Sequence, residues 1–197
     1  MDEAVRSALA RWPGVPDVYG WLRLDARGRW LTRAHDFEAS GRFEAITHRA
    51  FNAFIGRNYQ ADRRGRWYFQ NGPQRVFVEV ATAPWVLRMD GDGTLATHTG
   101  RAIGQVGAVL VDEDGRPAMQ TDIGGACLDD RDMERFLAQL TDAQGGGCED
   151  DELLAWLRGD AVRAPVFTCA GQRHVLERAA QDAWPQRLGY VRSPLPD

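Results

Sequence analysis

The chain has 197 residues, 26% of them charged, and a formal net charge of -4. A chain of this length buries about 70% of its unfolded surface, so it needs neither a disulfide nor a metal to fold. The mild negative charge gives no general attraction for nucleic acid. All 24 basic residues are arginine, which excludes lysine Schiff-base chemistry and the Walker lysine of phosphate-binding loops.

The three cysteines, Cys127, Cys148 and Cys169, lie far apart with no C-x2-C pair. Such a set is typical of a reducing compartment and of free, mostly buried thiols. The N-terminus is acidic and has no apolar signal segment, and no apolar run reaches membrane-spanning length. We therefore expect a cytoplasmic, bacterial protein with no membrane partner.

In chain order, the first predicted elements are a short helix over 4–11 and two strands over 18–24 and 29–33. Between the strands, Asp25 and Gly28 are typical of a type I turn followed by a left-handed glycine, the hairpin with a G1 bulge. The bulged register pairs Leu24 with Trp30, whereas the unbulged register would pair Leu24 with Arg29. Apolar matching therefore favours the bulge.

The same D-x-x-G signature occurs again at Asp62, Asp90 and Asp112. At Asp90 the bulged register pairs Met89 with Leu95, again apolar with apolar. We predict at least three hairpins of this kind, and the Asp62 turn is either a fourth or a link from helix to strand.

Two main amphipathic helices are predicted between the strands. The first runs from an N-cap at Thr47 to about Tyr59, with its apolar residues on one stripe. The second runs over 130–140, with acidic residues in its positive first turn. A shorter acidic-headed helix follows over 149–158 and ends at Gly159.

The stretch 62–89 has the strongest strand signal in the chain. Two runs with a period of two flank Asn71-Gly72-Pro73, which predicts an antiparallel hairpin. One face carries Trp67 and Phe69 opposite a row of valines, and we expect it to face the core. The other face carries a mixed set of side chains: Arg66, Tyr68, Gln70, Arg75, Phe77 and Glu79. We interpret that face as half-exposed sheet surface, with the wall of a binding groove as the alternative.

The last predicted hairpin has strands over 165–170 and 173–178 and turns at Ala170-Gly171. Together the elements predict an α+β fold of mostly antiparallel hairpins with the two main helices packed against the sheet. A hairpin followed by a helix occurs once from Val18 and again from Val106, which indicates an internal duplication. We therefore predict a duplicated unit over 1–147, with halves at about 17–89 and 90–147. Residues 148–197 are expected to form a C-terminal extension packed on it, pinned by Trp184, Leu188 and Tyr190.

Five segments carry a resemblance to known proteins: VYGWLRLDARGRW, ITHRAFNAFIGRNY, GRWYFQNGPQRVFVEV, PWVLR and THTG. They resemble an uncharacterised family of small proteobacterial proteins, a domain of unknown function. The layout of hairpin, helix, G-x-W-x-x-x-N-G-P-x-x-V and A-P-W is similar to a second uncharacterised family, which has tandem α/β repeats linked to signal transduction. The resemblance covers roughly 18–140 and implies no functional residue, because neither family has a known active site.

The sequence contains no catalytic or cofactor signature. The histidines and cysteines have no local ligand spacing such as H-x3-H or C-x2-C, and no G-x-S-x-G or phosphate-binding glycine loop is present. We therefore predict no cofactor and no metal. The basic, aromatic segment 57–66 has the composition of a single-strand binder, but helix capping and turn formation account for its arginines in an acidic chain.

We predict a non-enzymatic small-ligand-binding or regulatory, signalling module. Its candidate site consists of Tyr68, Arg75, Arg88 and His98, which converge if the two hairpins of 62–98 adjoin in one sheet. Two arginines, a tyrosine and a histidine suit a small anionic metabolite or an acidic protein segment. The alternatives are an enzyme that uses His98 or His48 as acid or base on a small anionic substrate, and a weak nucleic-acid binder. We expect a monomer or homodimer without a nucleic-acid partner.

Overall fold

The structure is a computed structural model that describes residues 1–161 and 163–196. The chain divides into two compact units. Unit 1 comprises Met1–Pro84 together with the chain from Tyr190 onward, and unit 2 comprises Trp85–Gly189.

Unit 1 contains one six-stranded sheet. Its strands are β1 (Val18–Leu24), β2 (Trp30–Arg33), β3 (Phe43–Ala45), β4 (Tyr59–Ala61), β5 (Trp67–Asn71) and β6 (Gln74–Val80). Its helices are α1 (Glu3–Arg11), α2 (Phe37–Ser40) and α3 (Arg49–Arg57). The strand order is β3-β2-β1-β6-β5-β4, and the neighbouring strands are antiparallel except β1 and β6, which are parallel.

Unit 2 contains an eight-stranded sheet. Its strands are β7 (Trp85–Met89), β8 (Leu95–Thr97), β9 (Val106–Val111), β10 (Pro117–Thr121), β11 (Gly124–Leu128), β12 (Leu140–Thr141), β13 (Val166–Cys169) and β14 (Gln172–Arg178). Its helices are α4 (Met133–Leu137), α5 (Asp150–Arg158) and α6 (Trp184–Leu188). The order is β12-β13-β14-β9-β10-β11-β7-β8, with β14/β9 and β11/β7 parallel. Antiparallel pairs predominate in both sheets, so the predicted α+β class is confirmed.

The D-x-x-G turns form hairpins with the predicted bulge. At the first of them the N–H of Asp25 donates to the Arg29 carbonyl, and the N–H of Gly28 donates back to the Asp25 carbonyl, both at 3.1 Å. The Asp25 carboxylate accepts the N–H groups of Arg27 and Arg29 at 2.9 and 2.8 Å. Because these contacts stay within five residues, the turn forms from local sequence alone.

The predicted registers are confirmed, since Leu24 pairs with Trp30 and Met89 pairs with Leu95. The Asp62 turn is a true hairpin, which joins β4 to β5. Two further turns repeat the backbone pattern, one at Asp142 and one at Thr97, whose hydroxyl accepts the Arg101 N–H at 3.1 Å. Both have glycine three residues after the capping side chain, but neither was among the predicted hairpins.

Gly93→Ala should destabilise the protein by about 1 kcal/mol, because Gly93 has a φ of +83° that strains any residue with a Cβ. Gly91 in the same turn is the matched control. It has no positive φ, and an added Cβ would meet nothing within 4 Å, so Gly91→Ala should change stability by no more than about 0.5 kcal/mol. Urea denaturation of both variants measures the difference, and equal midpoints would contradict this explanation.

The two main helices are shorter than predicted. Helix α3 has His48 rather than Thr47 as its N-cap, because the His48 Nδ1 accepts the Phe51 N–H at 3.1 Å. Its last residue is Arg57, Asn58 is its C-cap, and Tyr59 already belongs to β4. The predicted helix over 130–140 is a 3-10 turn at Asp130–Asp132 followed by α4, and the chain then joins the sheet edge as β12. Strand pairing thus ends both helices early.

The strand order shows an internal duplication that is longer than the predicted one. Strands β1, β2, β3, β4, β5 and β6 correspond in order and pairing to β9, β10, β11, β12, β13 and β14. The parallel pairs also match in register. The N–H of Ala81 donates to the Leu24 carbonyl at 2.9 Å, and the N–H of Ala179 donates to the Val111 carbonyl at the same distance.

The two units therefore differ from the predicted domains. The boundary lies between Pro84 and Trp85, and β13 and β14, which were expected in a C-terminal extension, complete the second repeat. They could not be placed from sequence because β14 pairs in parallel with β9, a strand far from it in the chain.

The core face of the central hairpin in unit 1 is as predicted, since Trp67, Phe69 and Val78 are all buried. The opposite face is more buried than predicted, because Phe77 and Gln70 are each 1% exposed. Tyr19 stacks on Phe77 with a ring distance of 4.5 Å, and the Arg66 guanidinium lies over the same ring at 5.0 Å. The centre of this face is therefore packed.

The three residues expected to pin the tail are buried: Trp184, Leu188 and Tyr190. Cys127 and Cys169 are also buried, and Cys148 is half-buried. In the part of the chain that the structure describes, no helix has the length and apolar character needed to cross a membrane.

Candidate functional site

The four residues of the predicted site lie in two different sheets. Tyr68 and Arg75 belong to β5 and β6 in unit 1, whereas Arg88 and His98 belong to β7 and to the turn after β8 in unit 2. The premise that both hairpins adjoin in one sheet is therefore wrong. Strand β6 already has β1 on one edge and β5 on the other, so β7 finds no free edge there and pairs with β11 instead.

In unit 1, Arg75 is already engaged by its neighbours. Its guanidinium carbon lies 5.5 Å from the centroid of the Tyr68 ring, and its Nε lies 3.9 Å from the Asp17 carboxylate. Burial raises the pKa of the Tyr68 phenol, so this hydroxyl is neutral at physiological pH. An anion at this pair would have to compete with Asp17 for the arginine.

In unit 2, Arg88 belongs to a cluster of charged residues that we call the Arg/Asp cluster: Arg88, Asp129, Arg131, Asp132 and Arg135. The Arg88 Nε donates to the Asp132 carboxylate at 2.6 Å, and Asp132 also accepts the Met89 N–H at 3.1 Å. Arg135 binds the same carboxylate, and Arg131 binds Asp129 at 2.5 Å. The cluster ties β7 to the 3-10 turn, which gives Arg88 a structural role.

Both carboxylates of the Arg/Asp cluster are fully buried. Burial opposes the ionisation of Asp129, but hydrogen bonds from the Arg131 side chain and N–H outweigh it and lower the pKa of Asp129 to about 2. The pKa of Asp132 is also lowered, because hydrogen bonds from Arg88 and the Met89 N–H outweigh the effect of burial. Both groups are therefore charged and satisfied at neutral pH, so neither is a general acid.

The bulged register of the Asp90 turn predicts His98 opposite Val86, on the face away from Trp85, but the side chain does not point to that face. His98 lies opposite Val86 as predicted, since its backbone N–H donates to the Val86 carbonyl at 2.7 Å. Its Nδ1, however, accepts the Val86 N–H at 3.3 Å, and its ring lies 5.6 Å from that of Trp85. The alternation of a strand does not apply here, because His98 is inside the Thr97 turn. Its Nδ1 is thus engaged by the backbone.

A pocket of about 430 Å³ lies between α3 and the sheet of unit 1. We call it the α3 pocket. Its apolar lining consists of Val18, Leu22, Ile46, Ile55 and Val76, its aromatic lining of Trp21, Phe51 and Phe69, and its polar lining of Thr32, Asn71 and Gln74. Among the described residues that line it, none is charged.

Two large apolar side chains of the α3 pocket are open to solvent. Trp21 is 52% exposed and Phe51 is 40% exposed. The Phe51 ring contacts Phe69 edge to face at 6.1 Å, and Arg33 lies over Trp21 at 4.9 Å. Grouped exposed aromatic side chains in a concave surface are typical of a binding site.

A bulge in β1 places Trp21 in this pocket. Adjacent residues on a regular strand point to opposite faces, yet Trp21 and Leu22 both line the pocket. The pairing of β1 with β6 shifts register between Val18 and Leu22, and Gly20 has a φ of +70° inside that interval. A glycine within a strand is the sequence signal that could have indicated this bulge.

The second repeat shows that the pocket is not a necessary result of the fold. Thr32, which pairs with Leu22 in unit 1, corresponds to Met119, which pairs with Val109 in unit 2. Thr32 is half-buried, whereas Met119 is fully buried. Phe69 and the corresponding Phe167 are both buried. The larger Met119 therefore occupies in unit 2 a position that the smaller Thr32 leaves partly open in unit 1.

Unit 2 has a separate cavity of about 540 Å³ beside α5, lined in part by Cys148, Asp142, Asp151 and Glu152. Burial raises the pKa of the Cys148 thiol, and the surrounding carboxylates raise it further. The thiolate is the nucleophilic form of cysteine, so this site is unsuited to cysteine nucleophilic catalysis. Within residues 1–161 and 163–196, no group of three or more histidine, cysteine or carboxylate side chains is placed to hold a metal ion.

The structural comparisons match this chain to two solved proteins of the DUF1285 family, and the first of them supports a similar fold. The protein from Silicibacter pomeroyi DSS-3 has 17% sequence identity and a TM-score of 0.53, and the match covers 89% of this chain and 95% of that one. The protein from Shewanella baltica OS155 has 13% identity and a TM-score of 0.41, and the match covers 59% and 90%. At 17% identity, the likeness to the Silicibacter pomeroyi protein concerns the fold alone.

The chain belongs to the DUF2944 family, which is described as a protein of unknown function (DUF2946) and which matches residues 1–195. No curated protein matches it. The predicted resemblance to an uncharacterised family, itself similar to a second one, is therefore confirmed.

Proposed function

We propose that this protein is a non-enzymatic small-ligand-binding module with a regulatory or signalling role, and that its ligand binds in the α3 pocket. The proposal rests on one observation, an uncharged apolar pocket with Trp21 and Phe51 open to solvent. Its volume of about 430 Å³ lies within the usual range for small-molecule sites. A bound ligand would remove these two side chains from water, which is a favourable contribution to binding.

The chemistry of the lining supports binding rather than turnover. Its polar side chains are Thr32, Asn71 and Gln74, which donate and accept hydrogen bonds but do not exchange protons near neutral pH. The second repeat supports the same interpretation, because the larger and fully buried Met119 stands at the position of Thr32. The fold therefore accommodates a side chain that fills this position, whereas unit 1 has the smaller threonine.

Other elements of the proposal come from the sequence. A small anion or an acidic segment at Tyr68 and Arg75 stays a prediction, with Asp17 as the competitor. A cytoplasmic location, a proteobacterial source and a monomeric or homodimeric state are also retained as predictions.

Thr32→Met should abolish ligand binding, because it introduces into unit 1 the side chain that fills the equivalent position in unit 2. The experiment is a thermal-shift screen of small molecules against the wild-type chain. A ligand at about 100 times its Kd should raise the melting temperature by roughly 5 °C or more, and Thr32→Met should lose that shift.

The matched control is Thr168→Met, at a half-buried threonine on β13 outside the α3 pocket. It should keep the full shift. Compounds that stabilise both variants equally would show that they bind elsewhere, and a compound that is chemically converted during the assay would show an enzyme instead of a binding module.

A further inference from the structure

The charge of the α3 pocket restricts what it can bind. Its polar side chains are neutral. Arg33 stacks on Trp21, but its Nε donates to the Gly20 carbonyl at 2.7 Å and its Nη1 lies 3.4 Å from the Glu38 carboxylate. A charged ligand group would lose its water without gaining a dedicated counter-charge, which is unfavourable. The pocket therefore favours a neutral ligand.

The rings of the pocket favour an aromatic ligand. Phe51 and Phe69 meet edge to face, with an interplanar angle of 84°. Trp21 has the Arg33 cation over its ring and is still 52% exposed. Aromatic rings pair by offset stacking or by edge-to-face contacts, which saturated rings cannot form.

The polar side chains favour a ligand that can both donate and accept hydrogen bonds. Asn71 and Gln74 are paired residues at the ends of β5 and β6, so their amides lie at the same end of the hairpin. The Gln74 Nε2 donates to the Pro16 carbonyl at 3.1 Å, which orients this amide and leaves its oxygen to accept a hydrogen bond. A carboxamide on the ligand complements such groups.

We infer that the ligand of the α3 pocket is a neutral aromatic compound with a single ring or two fused rings. It carries a carboxamide or a similar group that both donates and accepts hydrogen bonds. This inference rests on the proposed binding function and names the chemical class for the same pocket. It concerns the α3 pocket alone, and the anion predicted at Tyr68 and Arg75 is a separate ligand of unit 1.

Three probes that share one skeleton test the inference by NMR titration of the full chain. The probes are 2-naphthamide, its charged analogue 2-naphthoate, and the saturated decahydro-2-naphthamide. We expect 2-naphthamide to bind with a Kd on the order of 1 mM or tighter. The naphthoate should bind roughly ten-fold more weakly because its charge is desolvated without a partner, and the saturated amide roughly three-fold more weakly.

Site occupancy is checked with Thr32→Met, which should abolish 2-naphthamide binding, and with Thr168→Met, which should retain it. If Thr32→Met does not fold, as judged by circular dichroism, Val76→Phe fills the same pocket. Binding of 2-naphthoate at equal or higher affinity would overturn the requirement for neutrality, and equal binding of the saturated amide would overturn the requirement for an aromatic ring.

Either of these two results overturns the chemical class but not the proposed function, provided that Thr32→Met abolishes binding of the probe with the highest affinity. The chemical class alone is also overturned if none of the three probes binds while the thermal-shift screen yields a ligand that Thr32→Met excludes. If no probe binds and the screen also yields no ligand sensitive to Thr32→Met, both the class and the binding function are overturned.

Discussion

Trp67→Ala should lower the free energy of unfolding by about 3–5 kcal/mol, the range for truncation of a large buried aromatic side chain. Trp67 is only 6% exposed, and its ring lies 4.8 Å from that of Tyr59. Tyr59 contacts Trp30 edge to face at 5.0 Å. Truncation would therefore leave a cavity between aromatic side chains from three strands, which cannot collapse without moving the sheet.

Urea denaturation followed by tryptophan fluorescence measures this loss. Trp21→Ala is the matched control in the same sheet, because Trp21 is 52% exposed and its truncation should cost no more than about 1 kcal/mol. An unfolding midpoint for Trp67→Ala that equals that of the wild type would show that Trp67 does not contribute to the core.

Asp132→Ala should destabilise the protein by about 2–4 kcal/mol, because it removes a fully buried carboxylate from the Arg/Asp cluster. The substitution leaves the Met89 N–H, at 3.1 Å from Asp132, without its acceptor. Arg88 and Arg135 lose this carboxylate as well, and Arg88 keeps the Asp129 carboxylate at 3.9 Å. Their side chains are 43% and 52% exposed, so water recovers part of the loss, which keeps the cost below that of a wholly buried pair.

Asp130→Ala is the control for this experiment, since Asp130 is an exposed carboxylate in the same 3-10 turn. Its removal should change stability by no more than about 0.5 kcal/mol. If both variants lose the same free energy in urea denaturation, the effect belongs to the turn and not to the buried carboxylate.

The pH dependence gives a second readout of the same carboxylate. The pKa of Asp132 is lowered in the folded state, so the charge stabilises the fold above its unfolded pKa of about 3.9. This contribution is lost as the pH falls through the lower, folded pKa. The stability difference between wild type and Asp132→Ala should thus be constant above about pH 5 and shrink in stronger acid. A difference that stays constant down to pH 2.5 would show that the carboxylate charge is not its source.

The predictions from sequence that hold concern interactions between near neighbours in the chain. The turn at Asp25 needs only the side chain of Asp25 and the positive φ of Gly28. The pairing of Leu24 with Trp30 follows from that turn. Helix α5 ends at Gly159, in the left-handed conformation expected for a C-cap.

The candidate site could not be predicted in the same way. The sequence predicted Arg88 close to His98 on an open face. The Arg88 side chain instead binds Asp132, which lies 44 positions further along the chain. The α3 pocket was missed because it joins β1, β2, β5, β6 and α3, whose proximity depends on the parallel pairing of β1 with β6. Its local signals were Gly20 in a strand and Thr32 where the second repeat has Met119.

The sequence by itself determined the hairpin turns, their bulged registers and the core side of the central hairpin, because residues within a few positions of each other specify these features. Only the tertiary structure decided which hairpins share a sheet, how far the duplication extends, where the main helices end and which face holds a pocket. Those features depend on which strand edges are free and on which distant segment covers each face. For example, β1 and β5 occupy both edges of β6, so β7 pairs in the other sheet.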